Sequence, residues 1–170
     1  MQTQIDPKVY DILKHAAMAS SGHNTQPWKV AITNNSTLKL YMDTERRLPA
    51  VDPANRELYL SLGAFIGNLK EAARVHSMTA TVQPQAQSTQ DEHAASITLE
   101  NGHAADEQIL KKIKNRCTLR ANYKEDEIRS ADLDSIIAPA PGRFSFFPKT
   151  SAKGVYLNEV AYEANKTQVN

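Results

Sequence analysis

Cysteine is almost absent from this 170-residue sequence, and its scarcity excludes two kinds of stabilisation. Cys117 is the only cysteine, so no disulfide can form within the chain and no cysteine cluster can bind a metal. The five histidines are scattered, and none stands four residues from another, which is the spacing of a helical metal site. We therefore predict no metal centre.

The sequence also lacks an excess of charge of either sign and lacks long apolar runs. Twenty Lys and Arg residues against nineteen Asp and Glu residues leave a formal net charge of +1. This balance creates no global field for nucleic acid or an anionic membrane, and no apolar run is long enough to span a bilayer. The first residues, M-Q-T-Q-I-D-P, lack the parts of an export signal. We expect no nucleic-acid or membrane partner and a cytoplasmic location, or a periplasmic one if a signal was removed before residue 1.

What is present is the composition of a globular domain, 41% hydrophobic and 23% charged, with clear helix signals. Asp6-Pro7 is a typical helix start, and this first helix is predicted to stop near Gly22 in a left-handed cap. Asp52-Pro53 predicts the start of the strongest helix, which runs to His76 with a broad apolar stripe. Further helices are predicted at Asp106–Asn115, at Asp132–Ile137 and from Ser151 onward.

Two glycines four residues apart lie inside the strongest predicted helix. Glycine within a helix costs about 1 kcal/mol relative to alanine, so Gly63 and Gly67 predict that another backbone packs closely there. Strands are predicted on either side of that helix, and the first two form a hairpin around the turn Asn34-Asn35-Ser36. The predicted strands are Trp28–Thr33, Leu38–Asp43, Thr79–Gln83 and Ser96–Glu100.

The segment from Ser20 to Trp28, S-S-G-H-N-T-Q-P-W, concentrates polar groups between two apolar elements. Asn24 and Gln26 each carry a donor and an acceptor, which suits the alternating carbonyls and ring nitrogens of an isoalloxazine edge. Gly22 permits a close backbone approach. Judged by residue types alone, an ordinary polar turn is the favoured interpretation, because Ser, Gly and Asn are common turn residues.

A resemblance to a known family reverses that preference. A-S-S-G-H-N-T-Q-P-W-K-V (residues 19–30) resembles the segment of FMN-dependent nitroreductases in which N-x-Q-P-W lies against FMN. Its G-H-N-T-Q-P-W form is similar to a branch that fuses two nitroreductase-like halves. Residues 52–58 and 63–74 are similar to the central helix of that branch, and I-K-N-R-C-T-L-R-A-N-Y-K (residues 113–124) resembles the family's phosphate-binding motif. The similar stretches cover most of residues 6 to 124.

The resemblance implies an α+β fold in which helices surround a small, mostly antiparallel sheet and one long helix is central. It implies that Ser21, Gly22, Asn24 and Gln26 contact the flavin ring or ribityl chain, with His23 at a variable position. Arg116, Thr118 and Arg120 match the phosphate positions, where two guanidinium groups and a hydroxyl suit a phosphate dianion. The alternative for these residues is a solvated basic patch that ends a helix.

The phosphate motif departs from the family's order, because it follows the turn instead of preceding it. This order fits a fused protein in which residues 1–115 form a first nitroreductase-like half and residues 116–170 begin a second, diverged half. A chain of this length then carries part of a flavin site. We expect either a piece of a longer protein or a homodimer in which a second copy completes the site.

The activity implied by the resemblance is that of an FMN-dependent NAD(P)H oxidoreductase. NAD(P)H would deliver hydride to the flavin and leave, and a nitroaromatic or quinone-like acceptor would then take its place in ping-pong fashion, with the cofactor carrying the chemistry. Two alternatives stay open. The chain could be a flavin-binding or storage protein of the same fold without turnover, or a half-domain that binds flavin only on association.

Overall fold

The computed structural model describes residues 5–102, 107–121, 123–124 and 126–169. Contacts within the chain define two compact units, Met1–Thr118 and Leu119–Asn170. The first unit contains the sheet, three helices and the turn at residues 20–28. The division into halves at residues 115 and 116 stays a prediction.

The first helix begins where the sequence predicts, but it ends earlier. The Asp6 carboxylate accepts a hydrogen bond from the Lys8 backbone N–H at 2.7 Å, and Pro7 occupies the first turn. The predicted end at Gly22 is wrong, because the helix stops at Ala16 and the N–H groups of Met18 and Ala19 bond to carbonyls three residues back. Gly22 does not adopt a left-handed conformation.

The central helix starts four residues after its predicted start. Asn55 has a φ of 54°, which is incompatible with a helix, so the helix begins at Arg56. Asp52 nevertheless supplies the cap, because its buried carboxylate accepts hydrogen bonds from the Arg56 N–H at 2.8 Å and the Leu58 N–H at 2.9 Å. Two orphan donors of the first turn are satisfied in this way. The helices are α1 (Pro7–Ala16), α2 (Arg56–Val75), α3 (Gln108–Asn115), α4 (Ser130–Ile137) and α5 (Ala152–Val169).

The sheet has four strands, and each neighbouring pair is antiparallel. All four predicted strands are confirmed, and Asn35 and Ser36 form the hairpin turn between the first two. The strands are β1 (Trp28–Asn34), β2 (Thr37–Met42), β3 (Met78–Pro84) and β4 (His93–Asn101), in the spatial order β1-β2-β4-β3. The α+β class with an antiparallel sheet and a long central helix is therefore confirmed.

The core of the first unit lies between the sheet and α2. Leu38 and Leu40 of β2 and Ile97 of β4 are fully buried against the apolar stripe of α2, in which Phe65 and Leu69 are equally buried. Each such side chain contributes about 1.5–3 kcal/mol of transfer free energy. The core thus fixes α2 against the sheet and gives the turn before β1 a rigid support.

The glycines of α2 do not pack as predicted. In the part of the chain that the structure describes, nothing lies within 4 Å of a Cβ built on Gly63 or Gly67, and both glycines are exposed. The reason is that the apolar stripe of α2, not its glycine face, turns toward the sheet. None of the described helices is long and apolar enough to cross a membrane.

The other predicted helices are confirmed with shifted ends. α3 buries Ile113 as its apolar pattern predicts, while its predicted start at Asp106 lies outside the described residues. α4 starts two residues before its predicted start at Asp132. Before α5, the Ser151 hydroxyl accepts a hydrogen bond from the Gly154 N–H at 3.1 Å, which is the predicted cap.

Candidate functional site

The turn between α1 and β1 has an unusual backbone. Its residues His23, Asn24 and Gln26 have φ values of 49°, 58° and 52°, all in the left-handed region. For a residue other than glycine, this region costs about 1–2 kcal/mol, with Asn among the more tolerant residues. Three such residues within four positions require a surrounding structure that holds them.

Hydrogen bonds inside the turn supply part of that support. The Asn24 N–H donates to the Ser21 carbonyl at 3.0 Å, and the Thr25 N–H and hydroxyl both donate to the Gly22 carbonyl, at 3.0 and 2.9 Å. The Gln26 N–H donates to the Ser21 hydroxyl oxygen at 2.9 Å. The turn therefore closes on itself through backbone groups and two short hydroxyl side chains.

The central helix α2 also supports the turn, through a hydrogen bond with Ser61. The buried Ser61 hydroxyl donates to the Glu57 carbonyl at 2.8 Å and accepts a hydrogen bond from the Gly22 N–H at 3.3 Å. A Cβ built on Gly22 would lie 3.0 Å from Oε2 of Glu57. Gly22 thus brings the turn close to α2, and both its N–H and its carbonyl are used inside the protein.

A third support comes from the segment that follows β2. The Arg46 guanidinium donates to the Thr25 carbonyl at 2.9 Å, and the Asp43 N–H donates to the Pro27 carbonyl at 2.9 Å. Beyond the turn, Trp28 packs against Phe65 with ring centroids 5.3 Å apart, which anchors the end of the turn in the core. Sequence patterns indicated neither Arg46 nor Asp43 nor Ser61, because their partners are backbone groups distant in sequence.

The side chains of the left-handed residues all face solvent. His23, Asn24 and Gln26 are exposed, and among the described residues none of their side chains forms a hydrogen bond. Several backbone groups of the turn are thus paired inside the protein, while two amides and one imidazole stay available to a ligand. Such a surface can offer several donors and acceptors with little rearrangement.

The structure separates the roles of the residues predicted to contact flavin. Asn24 and Gln26 present free amides, and His23 lies beside them. Ser21 and Gly22 lie in the same turn, but their polar groups are engaged in holding it. The Ser21 hydroxyl proton is still available for donation, since the bond from Gln26 uses only its oxygen.

The residues that match the phosphate motif lie at and beyond the end of α3. Arg116 caps that helix in an extended conformation, and its guanidinium donates to the Thr118 hydroxyl at 3.3 Å; both residues are exposed. Arg120 is exposed and belongs to the second unit. Within the described residues, no hydrogen bond or ion pair joins Arg116 or Thr118 to the turn.

A separate charged cluster lies where α1 meets the end of α2. Asp11 Oδ2 lies 2.8 Å from His76 Nε2 and 3.4 Å from His15 Nδ1. Burial raises the pKa of Asp11, but the hydrogen bond from His76 and the charges of His15, His76 and Lys114 outweigh it, so the net pKa is lowered. No group of three or more His, Cys, Asp and Glu residues in the described ranges could hold a metal ion.

Fold and turn together define an α+β protein that presents a strained polar turn on a sheet-and-helix core. One of the curated proteins that it resembles is named as a nitroreductase. The chain is 34% identical over 91 residues to a Mycobacterium tuberculosis protein named "Putative NAD(P)H nitroreductase acg", a match that covers 51% of this chain and 27% of that protein. The uncharacterized protein Rv3127 of the same species is 29% identical over 85 residues, covering 48% of this chain and 25% of its own length.

The resemblance to nitroreductase-like proteins is confirmed by these relatives over about half of the chain. The matched segments span about a quarter of the length of the curated relatives. No family model matches the chain. A nitroreductase-like protein of Streptococcus mutans shares 17% identity at a TM-score of 0.44, over 60% of this chain and 80% of that one. This structural likeness is too low to define the fold, which rests on the elements described above.

Proposed function

We propose that the chain binds FMN through the turn at residues 20–28 and serves an NAD(P)H-dependent oxidoreductase of the nitroreductase type. One observation carries the proposal: the Asn24 and Gln26 amides are exposed and have no partner among the described residues, on a left-handed backbone held by bonds within the turn, by α2 and by the segment after β2. Strained residues of this kind cluster at active sites and ligand-binding sites. The relative named as an NAD(P)H nitroreductase supports the same assignment.

The ring-binding part of the proposal is tested by removing both amides. Replacing Asn24 and Gln26 together by alanine should weaken FMN binding about tenfold or more, since each amide contributes about 0.5–1.5 kcal/mol through a hydrogen bond. The measurement is a titration of FMN fluorescence. The matched control is the pair Gln83→Ala and Gln85→Ala, which removes two exposed amides at the far edge of the sheet. Equal FMN affinity in both double variants would contradict the site.

The phosphate-binding part is assigned to Arg116, Thr118 and Arg120. Arg116 and Thr118 are within hydrogen-bond distance and exposed, so a phosphate can replace the contact between them. Replacing both arginines by Gln should weaken FMN binding more than riboflavin binding, because only FMN carries the phosphate. The control is Lys111→Gln with Lys112→Gln, which removes the same charge from α3. Equal losses for the two flavins would contradict the phosphate assignment.

The reaction we propose is transfer of hydride from NAD(P)H to a nitroaromatic or quinone-like acceptor. Bound FMN would supply the redox chemistry, while the protein binds, orients and tunes the cofactor. The residues of this chain contribute neutral amide hydrogen bonds to the ring and cationic side chains to the phosphate. NAD(P)H oxidation by the FMN-loaded chain should exceed oxidation by free FMN at the same concentration.

The second candidate is a flavin-binding or storage protein without turnover. The exposure of Asn24 and Gln26 supports this candidate, because hydrogen-bonding groups on one side of a flavin can bind it without enclosing a substrate. A chain that retains FMN but oxidises NAD(P)H no faster than free flavin would establish this alternative.

We further propose that a second copy or a second half supplies the contacts on the opposite side of the flavin. Sedimentation of the chain with and without FMN tests whether binding is coupled to dimerisation.

A further inference from the structure

We infer that Arg46 is a positioning residue of the flavin site, which holds Gln26 in its left-handed conformation through the Thr25 carbonyl. This inference rests on the proposed flavin-binding function. It assigns the site a residue outside every motif that resembles the family. Arg46 belongs to the short 3-10 segment Thr44–Arg46 after β2, about twenty residues beyond the turn.

The backbone on both sides of Gln26 is held by groups outside that residue. Its own N–H donates to the Ser21 hydroxyl, and the carbonyl that precedes it accepts from the Arg46 guanidinium at 2.9 Å. The carbonyl of the following residue, Pro27, accepts from the Asp43 N–H at 2.9 Å. Two of these bonds hold the peptide plane that precedes Gln26, and the third holds the plane that follows Pro27. Because proline restricts its own φ, these contacts confine the backbone around Gln26, whose φ is 52°.

Arg46 and Asp43 act as one unit in this arrangement. Asp43 is largely buried, and its carboxylate lies 3.4 Å from the Arg46 guanidinium, which orients the guanidinium toward the turn. The N–H of the same Asp43 donates to the carbonyl of Pro27, the residue after Gln26. The segment after β2 thus donates hydrogen bonds to two carbonyls of the turn, those of Thr25 and Pro27. The pairing of β2 with β1, the strand that follows the turn, holds this segment in place.

The conformation matters because it directs the Gln26 side chain. At a left-handed residue the side chain projects differently from that of an extended or helical residue. Here the Gln26 side chain is exposed, and no described residue forms a hydrogen bond with it. Loss of the Arg46 contact would let the Thr25–Gln26 peptide relax toward unstrained backbone. The Gln26 amide would then leave the position from which it meets the ring.

The test is Arg46→Met, compared with Lys29→Met. Lys29 is exposed and lies 3.8 Å from the same Asp43 carboxylate, so its loss removes equal charge without touching the turn. Arg46→Met should weaken FMN and riboflavin binding by the same factor, about fivefold to tenfold, because a charge-assisted but half-exposed hydrogen bond is lost. Lys29→Met should bind both flavins like the wild type. Arg46→Lys, which retains a donor for the Thr25 carbonyl, should restore part of the loss.

A double-mutant cycle separates positioning from general stabilisation. If Arg46 acts through Gln26, Arg46→Met should cost little further affinity in a chain that already carries Gln26→Ala. Additive losses would overturn the inference. A larger loss for FMN than for riboflavin would also overturn it, since Arg46 would then contact the phosphate directly.

Amide exchange measured without flavin tests the positioning role of Arg46 independently of flavin binding. Amide exchange by NMR should be faster for the Gln26 N–H in Arg46→Met than in Lys29→Met, with the amides of β1 unchanged. Wild-type affinity of Arg46→Met, together with weak binding by Gln26→Ala, would refute the positioning role and leave the site intact. Equal flavin binding by the wild type and Gln26→Ala would instead refute the proposed function.

Discussion

Replacement of Gln26 by glycine should make the protein more stable while it impairs flavin binding. The left-handed backbone costs a non-glycine residue about 1–2 kcal/mol. Glycine removes that cost but loses about 0.5–1 kcal/mol through the greater freedom of the unfolded chain. With a φ of 52° at Gln26, we expect a net gain of about 0.5–1 kcal/mol in the free energy of unfolding.

Gln26→Ala is the comparison that isolates the backbone. It removes the same amide but retains a Cβ, so the strain stays and its free energy of unfolding should fall about 1 kcal/mol below that of Gln26→Gly. Both variants should bind FMN about fivefold to tenfold more weakly than the wild type, since both lose the amide. Urea unfolding followed by circular dichroism gives the stabilities, and FMN fluorescence titration gives the affinities.

Thr25 provides a control in the same turn, at which the stability difference between the Gly and Ala variants should have the opposite sign. Its φ is −67°, an ordinary right-handed value, so Thr25→Gly should be less stable than Thr25→Ala by about 0.5–1 kcal/mol. If Gln26→Gly is instead less stable than Gln26→Ala, the left-handed backbone at Gln26 is refuted. Wild-type affinity in both Gln26 variants would refute the role of this side chain.

Three further predictions concern the scaffold. Asp52→Ala should destabilise the protein by about 1–2 kcal/mol in urea unfolding, because two N–H groups at the start of α2 lose their acceptor; a loss near zero would refute the capping role. Phe65→Ala should cost about 3–5 kcal/mol in the same assay, whereas Tyr10→Ala, at an exposed aromatic residue, should cost less than 1 kcal/mol. Because the pKa of Asp11 is lowered in the folded state, its contribution is complete above the ordinary value of 3.8 and disappears as the pH falls through the folded-state pKa. Wild type should therefore exceed Asp11→Asn by about 0.5–1 kcal/mol at neutral pH, after allowance for the partial exposure of the carboxylate, and the difference should vanish in acid unfolding curves. A difference that persists below the folded-state pKa of Asp11 would contradict a stabilising role of the ionised carboxylate.

Most of the scaffold could be predicted from the sequence because its signals are local. The Asp6-Pro7 cap, the hairpin turn and the apolar stripe of α2 depend on neighbouring residues, and all three are present. The errors occur where a contact between residues distant in sequence determines the end of an element or the backbone conformation. Asp52 caps α2 from outside the helix, so the sequence placed the start of that helix too early.

The position of the turn could be predicted, but its backbone geometry could not. Asn24 and Gln26 were indicated by their residue types and by the resemblance. The expectation that Gly22 supplies the left-handed residue was wrong, since His23, Asn24 and Gln26 adopt that conformation instead. No local pattern reports this, because a bond to the Ser61 hydroxyl and a bond from the Arg46 guanidinium stabilise the turn across 39 and 21 positions of sequence.

The measurement that tests the central claim most directly is a titration of FMN fluorescence with the wild-type chain and with the double variant Asn24→Ala, Gln26→Ala. We predict saturable binding by the wild type and binding at least about tenfold weaker by the double variant, with unchanged circular dichroism in both. Equal affinities for FMN, or no binding by the wild type at any concentration, would contradict the assignment of this turn as a flavin site.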